Sequence, residues 1–226
     1  MTQKLNLIVL GGSRAFGTAF EDCDYDYYGV FTEDLRTVTG LHPYRETYTW
    51  QSGEVDCQFH ELKKFLTLAL KGNPTILDTL FSPYLICEDQ VGTALRTHRR
   101  DFLSQRVLRS YLGYAEEQLN RFDRGVRIHS KGGQITGKFL RHAVRLLSGG
   151  LHLALTGEFL VRVSPYQLSL IYAVEQLEPE AAIGLVREMT QKLETAAITN
   201  EKLPEVPNEA AVAELLWEVR TQWIAS

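Results

Sequence analysis

The sequence is short of cysteine and of long apolar runs, and each shortage excludes a class of protein. Its three cysteines, Cys23, Cys57 and Cys87, form neither a CxxC spacing nor an even-numbered framework. We therefore expect a reducing compartment and no disulfide scaffold. No run approaches the length of a membrane span, and the short apolar start MTQKLNLIVLGG predicts a first structural element rather than a signal peptide. A soluble, cytoplasmic protein is expected.

The chain also lacks an excess of positive charge. Lysine and arginine number 24 against 28 aspartates and glutamates, and the net charge is −4. Contact with nucleic acid would therefore require a local basic patch rather than a generally basic surface. The 226 residues are enough for one large domain or two small ones, each with a substantial core.

Residue patterns divide the chain near residue 100. Before that point DYDYYGVF is typical of a strand, and ETYTW and VDCQFH form a predicted hairpin with its turn at Ser52-Gly53. A helical period begins at Leu62, and Asn73 is predicted to cap a helix that starts at Pro74. After that point the pattern predicts helices alone, with Pro204 and Pro207 marking a linker before the last one. We predict an α+β domain at residues 1–100 and an all-helical domain at residues 101–226.

Two aspartates on one predicted strand are unusual, because strands normally avoid aspartate. Strand alternation places Asp24 and Asp26 on the same side, about 7 Å apart. Two carboxylates so close repel each other unless a cation lies between them, and Mg²⁺ prefers such oxygen ligands. Asp56, on the polar side of the strand VDCQFH, offers a third carboxylate. The alternative is that the aspartates lie on the solvated face of an edge strand.

A Gly-Ser pair upstream favours the metal site over the solvated strand. Gly12 permits close approach of the backbone, and Ser13 supplies a hydroxyl and backbone N–H groups at the start of a predicted helix. An anion is favoured at such a position. Phosphate on one side and carboxylates on the other are what a complex of nucleotide and metal requires.

With these residues the sequence resembles the DNA polymerase β-like nucleotidyltransferase superfamily. The segments GSRAFGTAFEDCDYDYYGVF, VDCQFHELKKFLTLALKGNPTILDTLFSP and GKFLRHAVRLL are similar to one of its groups, the RlaP-type family of predicted nucleotidyltransferases tied to RNA repair. The resemblance runs over roughly residues 8–160. One departure is Cys23, which stands where serine is common in related enzymes.

The resemblance implies an activity and a fold. The expected activity is metal-dependent transfer of a nucleotidyl group from an NTP, on a polymerase β-type mixed sheet with flanking helices. By that likeness Gly12 and Ser13 hold the triphosphate, while Asp24, Asp26 and Asp56 bind the metals and form the catalytic set. The expected cofactor is Mg²⁺, with Mn²⁺ as the alternative, and two metal ions would activate the attacking hydroxyl and steady the leaving pyrophosphate.

Several basic residues are predicted to bind the nucleotide. Lys138, His142 and Arg145 share one helical stripe that would neutralise the β- and γ-phosphates, and the family likeness includes a similar helix. A solvated basic face is the alternative. Arg14 is predicted to reach phosphate or base, or else to lie on the surface at a helix start. Lys63 is predicted either to contact the nucleotide or to lie on the solvated face of its helix.

The acceptor is the least constrained part of the prediction. The main hypothesis is transfer of NMP to a nucleic-acid end, with RNA favoured by the family association, and closure of the helical domain over the nucleotide. Transfer to a small-molecule or protein hydroxyl is the second hypothesis, and a nucleotide-binding sensor without turnover is the third. The basic loop RGVRIHSKGGQ either grips an acceptor backbone or is a solvated linker.

Overall fold

The computed structural model describes residues 4–19, 23–129 and 137–223, and the chain packs as two compact units. The first unit comprises Met1–Leu103 and Val206–Ser226, and the second comprises Ser104–Glu205. The predicted helical domain of residues 101–226 differs from this second unit at its end, since residues 206–226 belong to the first. The physical reason is a buried ion pair: Arg220 bonds to Glu61 and donates to the carbonyl of Glu33.

The first unit is built on a mixed sheet. In the described part of the chain its strands are β1 (Lys4–Leu10), β2 (Tyr25–Thr32), β3 (Thr47–Ser52), β4 (Val55–Glu61) and β5 (Leu85–Glu88). Its helices are α1 (Gly12–Phe16), α2 (Leu35–Thr39), α3 (Leu62–Leu70), α4 (Pro74–Phe81), α5 (Gln90–Thr97), a 3₁₀ turn (His98–Phe102) and, after the second unit, α10 (Glu209–Glu218) with a π-helical turn (Val219–Trp223).

The strand order in the sheet is β3-β4-β2-β1-β5. Strands β2 and β4 are parallel, whereas the pairs β1–β2, β1–β5 and β3–β4 are antiparallel. This mixed sheet with flanking helices confirms the predicted α+β class. Strand β5 was not predicted, because its four residues are all exposed and so show no alternation of buried and exposed positions.

Local residue chemistry sets the turns of the first unit. The predicted β3–β4 hairpin is present, but its turn lies at Gly53–Glu54 rather than at Ser52–Gly53, because Ser52 still pairs with Val55. Gly53 has φ +56° in the tight turn between β3 and β4, a backbone conformation that glycine adopts without strain. The Asn73 side chain accepts a hydrogen bond from the backbone N–H of Ile76, and Pro74 follows at the first helical position of α4. Both residues therefore have complete structural explanations.

The second unit is helical, as predicted. Its described helices are α6 (Gln105–His129), α7 (Lys138–Thr156), α8 (Pro165–Ala173), a 3₁₀ turn (Val174–Gln176) and α9 (Pro179–Ile198). Leu140, Ala143, Leu146 and Leu147 of α7 are buried. Among the described residues no helix is long and apolar enough to cross a membrane.

Candidate active site

Asp26 and Asp56 lie side by side on neighbouring strands. The parallel register of β2 and β4 places Asp26 opposite Asp56, although 29 other residues separate them along the chain. Residues paired across two strands project from the same face of the sheet. The sheet thus brings together two of the three carboxylates that the sequence predicted, and it does so through a pairing that strand periodicity alone does not specify.

The glycines that follow β1 pack directly onto this part of β2. The Gly11 N–H donates to the carbonyl of Asp26 at 2.8 Å. A Cβ at Gly12 would lie 1.7 Å from the Asp26 Oδ2, and one at Gly11 would lie 2.3 Å from the ring of Tyr28. Gly12 also has φ +58°, which favours glycine. The close approach predicted at Gly12 is therefore made to the carboxylate of Asp26.

Ser13 lies in α1, the single-turn helix that begins at Gly12, directly after these contacts. Its carbonyl accepts from the Thr18 N–H at 2.9 Å, which closes the helix end at Gly17, where φ is +76°. The Gly12–Ser13 pair consequently starts a helix beside the Asp26 carboxylate. The predicted helix start is therefore present, and the role of the pair in holding a triphosphate stays a prediction.

Asp24 precedes β2 rather than lying within it, and its side chain is exposed. Arg14 fixes its backbone: the guanidinium donates to the Cys23 carbonyl at 2.6 Å and to the Asp24 carbonyl at 3.3 Å. The same guanidinium lies 3.8 Å from the centre of the Tyr25 ring, a cation–π distance. Arg14 thus holds the segment that carries the first predicted carboxylate.

The three predicted metal ligands are not gathered into one group. Over residues 4–19, 23–129 and 137–223, no three His, Cys, Asp or Glu side chains lie close enough together to hold a metal ion. The neighbouring carboxylates of Asp26 and Asp56 suit a hard cation such as Mg²⁺, which commonly takes one or two carboxylates and fills its other positions with water and phosphate. The pair fits such an ion, and Asp24 stands outside the pair.

An open groove of about 340 Å³ lies on the sheet beside Asp56. Sequence reasoning missed it as a site, because alternation along one strand does not report which residues lie opposite one another on neighbouring strands. The cross-strand register connects its members, because Gln51 pairs with Asp56 and Thr49 pairs with Gln58. The residues that line it are Tyr28, Thr49, Trp50, Gln51, Asp56 and Gln58.

The last residues of β4, His60 and Glu61, make contacts that stabilise the fold. His60 is buried and its Nδ1 lies 2.9 Å from the Thr47 hydroxyl; burial, and secondarily Lys64, lower its pKa. His60 is packed, as a lone histidine usually is. Lys63 is exposed, and its backbone N–H donates to the fully buried Glu61 at 2.8 Å. The nucleotide-binding role predicted for Lys63 stays a prediction.

The predicted basic stripe of α7 lies in the second unit and runs from exposed Lys138 through half-buried His142 to buried Arg145. Arg145 is only 9% exposed, so a fully solvated basic face does not describe the stripe. Burial lowers the pKa of His142 to about 3, and the positive charges of Arg145, Lys138 and Arg121 act in the same direction. Arg121, on α6, is a member of this cationic cluster that sequence reasoning missed, because it comes from another helix.

Part of the predicted basic loop falls outside the described residues. The side chains of residues 126–129 and all of residues 130–136 are not described, so the hypothesis of a loop that grips an acceptor stays a prediction. The Arg124 Nε donates to the Asn120 carbonyl at 3.2 Å within α6. This contact accounts for Arg124 without an acceptor.

Two relatives show what the chain is similar to. An uncharacterized 38.9 kDa protein of the nrdC-mobD intergenic region of Enterobacteria phage T4 is 27% identical over 123 residues, which is 49% of this chain and 36% of that protein. The match thus spans about a third of the phage protein. The crystal structure of a nucleotidyltransferase-like protein from Exiguobacterium sibiricum 255-15 aligns with 96% of this chain and 73% of its own, at 15% identity and a TM-score of 0.32.

The family match covers nearly the whole chain. Residues 2–203 match the model of a family described as the RNA repair pathway DNA polymerase beta family. This range includes the paired aspartates, the Gly12 turn and the cationic helix α7. The chain belongs to this family, RlaP.

Proposed function

We propose that the protein transfers an NMP group from an NTP to a hydroxyl acceptor at an RNA end, with release of pyrophosphate. The observation that carries the proposal is the pairing of Asp26 with Asp56 across two parallel strands, with the Gly12 turn packed against the Asp26 carboxylate. Paired carboxylates next to a helix start are the arrangement that a metal-bound triphosphate needs.

Asp26 and Asp56 are the proposed ligands of Mg²⁺, or of Mn²⁺ in its place, and Asp24 is the proposed third ligand. When bound, the ion stabilises negative charge on phosphate oxygens and lowers the pKa of a coordinated hydroxyl. Because Asp24 stands outside the pair, it would join the ion only if its exposed side chain turned toward Asp26 and Asp56 when metal and nucleotide bind.

Asp56 is the proposed acceptor of the proton. Its side chain is exposed at the open groove, where an incoming hydroxyl can reach it. The acceptor oxygen forms a bond to the α-phosphorus while the bond from that phosphorus to the bridging oxygen breaks. The hydroxyl proton passes to an Asp56 carboxylate oxygen, and the electron pair of the broken bond leaves with pyrophosphate. Positioning and electrostatics supply most of the catalysis in such reactions.

The cationic cluster of the second unit is the proposed partner of phosphate. The positive charges of Lys138 and Arg145 of α7 and of Arg121 of α6 all act on His142, and Arg121 is also paired with Glu117. Such a cluster attracts a polyphosphate, and Arg145 can bind it through two parallel hydrogen bonds. A bound phosphate would also raise the pKa of His142, because it opposes the positive charges that now depress it.

Labelled nucleotides test the proposal directly. The protein is incubated with Mg²⁺ and each α-³²P-labelled NTP, with and without single-stranded RNA. The proposal expects the label on the RNA and pyrophosphate in solution. Label on the protein or on a small molecule would show that the acceptor is not RNA. Binding of NTP without any transfer of label would show that the protein is a nucleotide sensor rather than an enzyme.

A further inference from the structure

Strand β1 ends at Leu10, and both backbone groups of this residue are bonded to the segment that follows α4. The Leu10 N–H donates to the Tyr84 carbonyl at 2.9 Å. The Leu10 carbonyl accepts from the Ser82 hydroxyl at 3.1 Å, and the oxygen of that hydroxyl accepts from the Tyr84 N–H at 3.2 Å. The Ser82 hydroxyl therefore bridges the backbones of two neighbouring segments.

This bridge replaces a direct bond at the end of the sheet. In a regular antiparallel pair, two hydrogen-bonded residues exchange both of their N–H···O bonds. Leu10 and Tyr84 make one of these bonds directly, whereas the second passes through the Ser82 hydroxyl. The inserted oxygen keeps the Leu10 carbonyl and the Tyr84 N–H further apart than a direct bond would. The position of the Leu10 carbonyl consequently depends on Ser82.

The chain holds Ser82 in place from both sides. Before it comes α4, in which Leu77 and Leu80 are fully buried. After it comes Pro83, and a proline disfavours the helical conformation in the residue that precedes it. Ser82 accordingly has φ −57° and ψ 129° and ends α4. Its side chain serves the end of another strand rather than its own helix, and at 1% exposure it is not readily replaced by water.

The peptide between Leu10 and Gly11 carries the effect of this bond to the candidate site. Its carbonyl is held by Ser82, and its N–H donates to the Asp26 carbonyl at 2.8 Å. A planar peptide that is bonded at both ends has little freedom to rotate. The next residue is Gly12, which packs against the Asp26 carboxylate. The direction of the N–H groups at this helix start therefore depends on a hydroxyl that lies 72 residues after Leu10.

We propose that Ser82 is a positioning residue that orients the turn at Gly11–Gly12 for the triphosphate of the NTP. This inference rests on the proposed function and adds to it a residue outside the strands that carry the aspartates. Without the hydroxyl, the Leu10 carbonyl either bonds directly to the Tyr84 N–H or loses this contact. Either change rotates the peptide before Gly11 and turns the N–H groups of the helix start away from the phosphates. Ser82 thus contributes to triphosphate affinity although it is itself buried.

Inorganic triphosphate tests the inference, because it has the phosphates of an NTP and no base. Isothermal titration calorimetry in the presence of Mg²⁺ gives its Kd for wild type, Ser82→Ala and Ser82→Cys. Ser82→Ala is expected to weaken triphosphate binding about tenfold, the effect of one lost bond and of the buried groups that it leaves unsatisfied. Ser82→Cys fills the same space with a thiol, which is a weak donor, and is expected to weaken binding by a similar factor. In the label-transfer assay, the KM for NTP is expected to rise with the Kd.

Thr79→Val is the matched control. Thr79 lies on α4, is 1% exposed like Ser82, and donates its hydroxyl to a backbone carbonyl, that of Thr75, at 2.8 Å. The substitution removes an equally buried bond that does not reach β1. The urea midpoint of unfolding is expected to fall about as far as in Ser82→Ala, with the Kd for triphosphate and the KM for NTP unchanged.

Three results would overturn the inference. They are wild-type triphosphate affinity in Ser82→Ala, wild-type affinity in Ser82→Cys, and a loss of affinity in Thr79→Val equal to that in Ser82→Ala. Failure of the proposed function is distinct, because it appears as absence of label transfer by the wild type, whatever the affinity for triphosphate.

Discussion

The contact between Gly12 and Asp26 makes Gly12→Ala the most informative substitution in the first unit. An L-residue at φ +58° costs about 1–2 kcal/mol in backbone strain. The new Cβ would lie 1.7 Å from the Asp26 Oδ2, so the carboxylate has to move by more than 1 Å to reach a contact that real atoms make. Overpacking adds about 1–3 kcal/mol. A displacement of that size at a reacting centre lowers the rate about a hundredfold.

Gly53→Ala is the matched control for this substitution. Gly53 has nearly the same backbone conformation, φ +56°, but a Cβ there would meet no atom within 4 Å. Gly53→Ala is therefore expected to lower the free energy of unfolding by the backbone strain alone, about 1–2 kcal/mol. Label transfer is expected to stay near the wild-type rate. All three tryptophans (Trp50, Trp217 and Trp223) lie in the first unit, so urea unfolding followed by tryptophan fluorescence reports on that unit. Equal destabilisation by the two substitutions, with transfer retained in Gly12→Ala, would refute the reasoning.

Three further predictions concern charged side chains. Arg14→Met releases the Cys23 and Asp24 carbonyls, so we expect turnover in the transfer assay to fall about tenfold while the KM for NTP changes little. Arg220→Met leaves the fully buried Glu61 uncompensated, at a cost of about 3–5 kcal/mol in tryptophan-detected unfolding. The folded-state pKa of His142, about 3 against an ordinary 6.5, means that the unfolded chain binds the proton first. Its contribution to stability is therefore complete above pH 6.5 and lost as pH falls toward 3, with about 2 kcal/mol lost by pH 5. Helical circular dichroism of wild type against His142→Gln measures this difference.

Each of these predictions has a contradicting result. A large rise in the KM for NTP with unchanged turnover in Arg14→Met would show that Arg14 contacts the nucleotide instead. A loss below 1 kcal/mol in Arg220→Met would mean that the pair with Glu61 does not anchor the C-terminal segment. Parallel acid denaturation of wild type and His142→Gln would show that His142 is charged in the folded protein near pH 5.

The sequence indicates a chemistry for the site, which stays a prediction, but it does not indicate how the site is assembled. The Gly-Ser pair and the aspartates predict a site for a nucleotide and a metal ion, because few other sites need carboxylates next to a phosphate-binding turn. The pairing of Asp26 with Asp56, however, depends on β2 and β4 being parallel neighbours, which alternation within one strand does not specify. For the same reason the polar groove emerged only once the register of β3 was known.

Other misses have a common physical origin in long-range contacts. The two prolines before the last helix suggested a linker within one helical domain, but the ion pair of Arg220 with Glu61 ties that segment to the sheet. The nucleotide-binding role of Lys138, His142 and Arg145 stays a prediction, but the burial of Arg145 and the charge of Arg121 beside His142 were not foreseen. Both come from the packing of α6 on α7, which periodicity along one helix does not report.

The central claim is that Asp26 and Asp56 together perform the nucleotidyl transfer. The most direct measurement compares label transfer from α-³²P-labelled NTP to RNA, at saturating Mg²⁺, by wild type, Asp26→Asn, Asp56→Asn and the control Glu194→Gln, an exposed glutamate of α9. Both aspartate variants are expected to fold and to lose transfer about a hundredfold or more, with Glu194→Gln unchanged. Transfer at the wild-type rate by either aspartate variant would contradict the account.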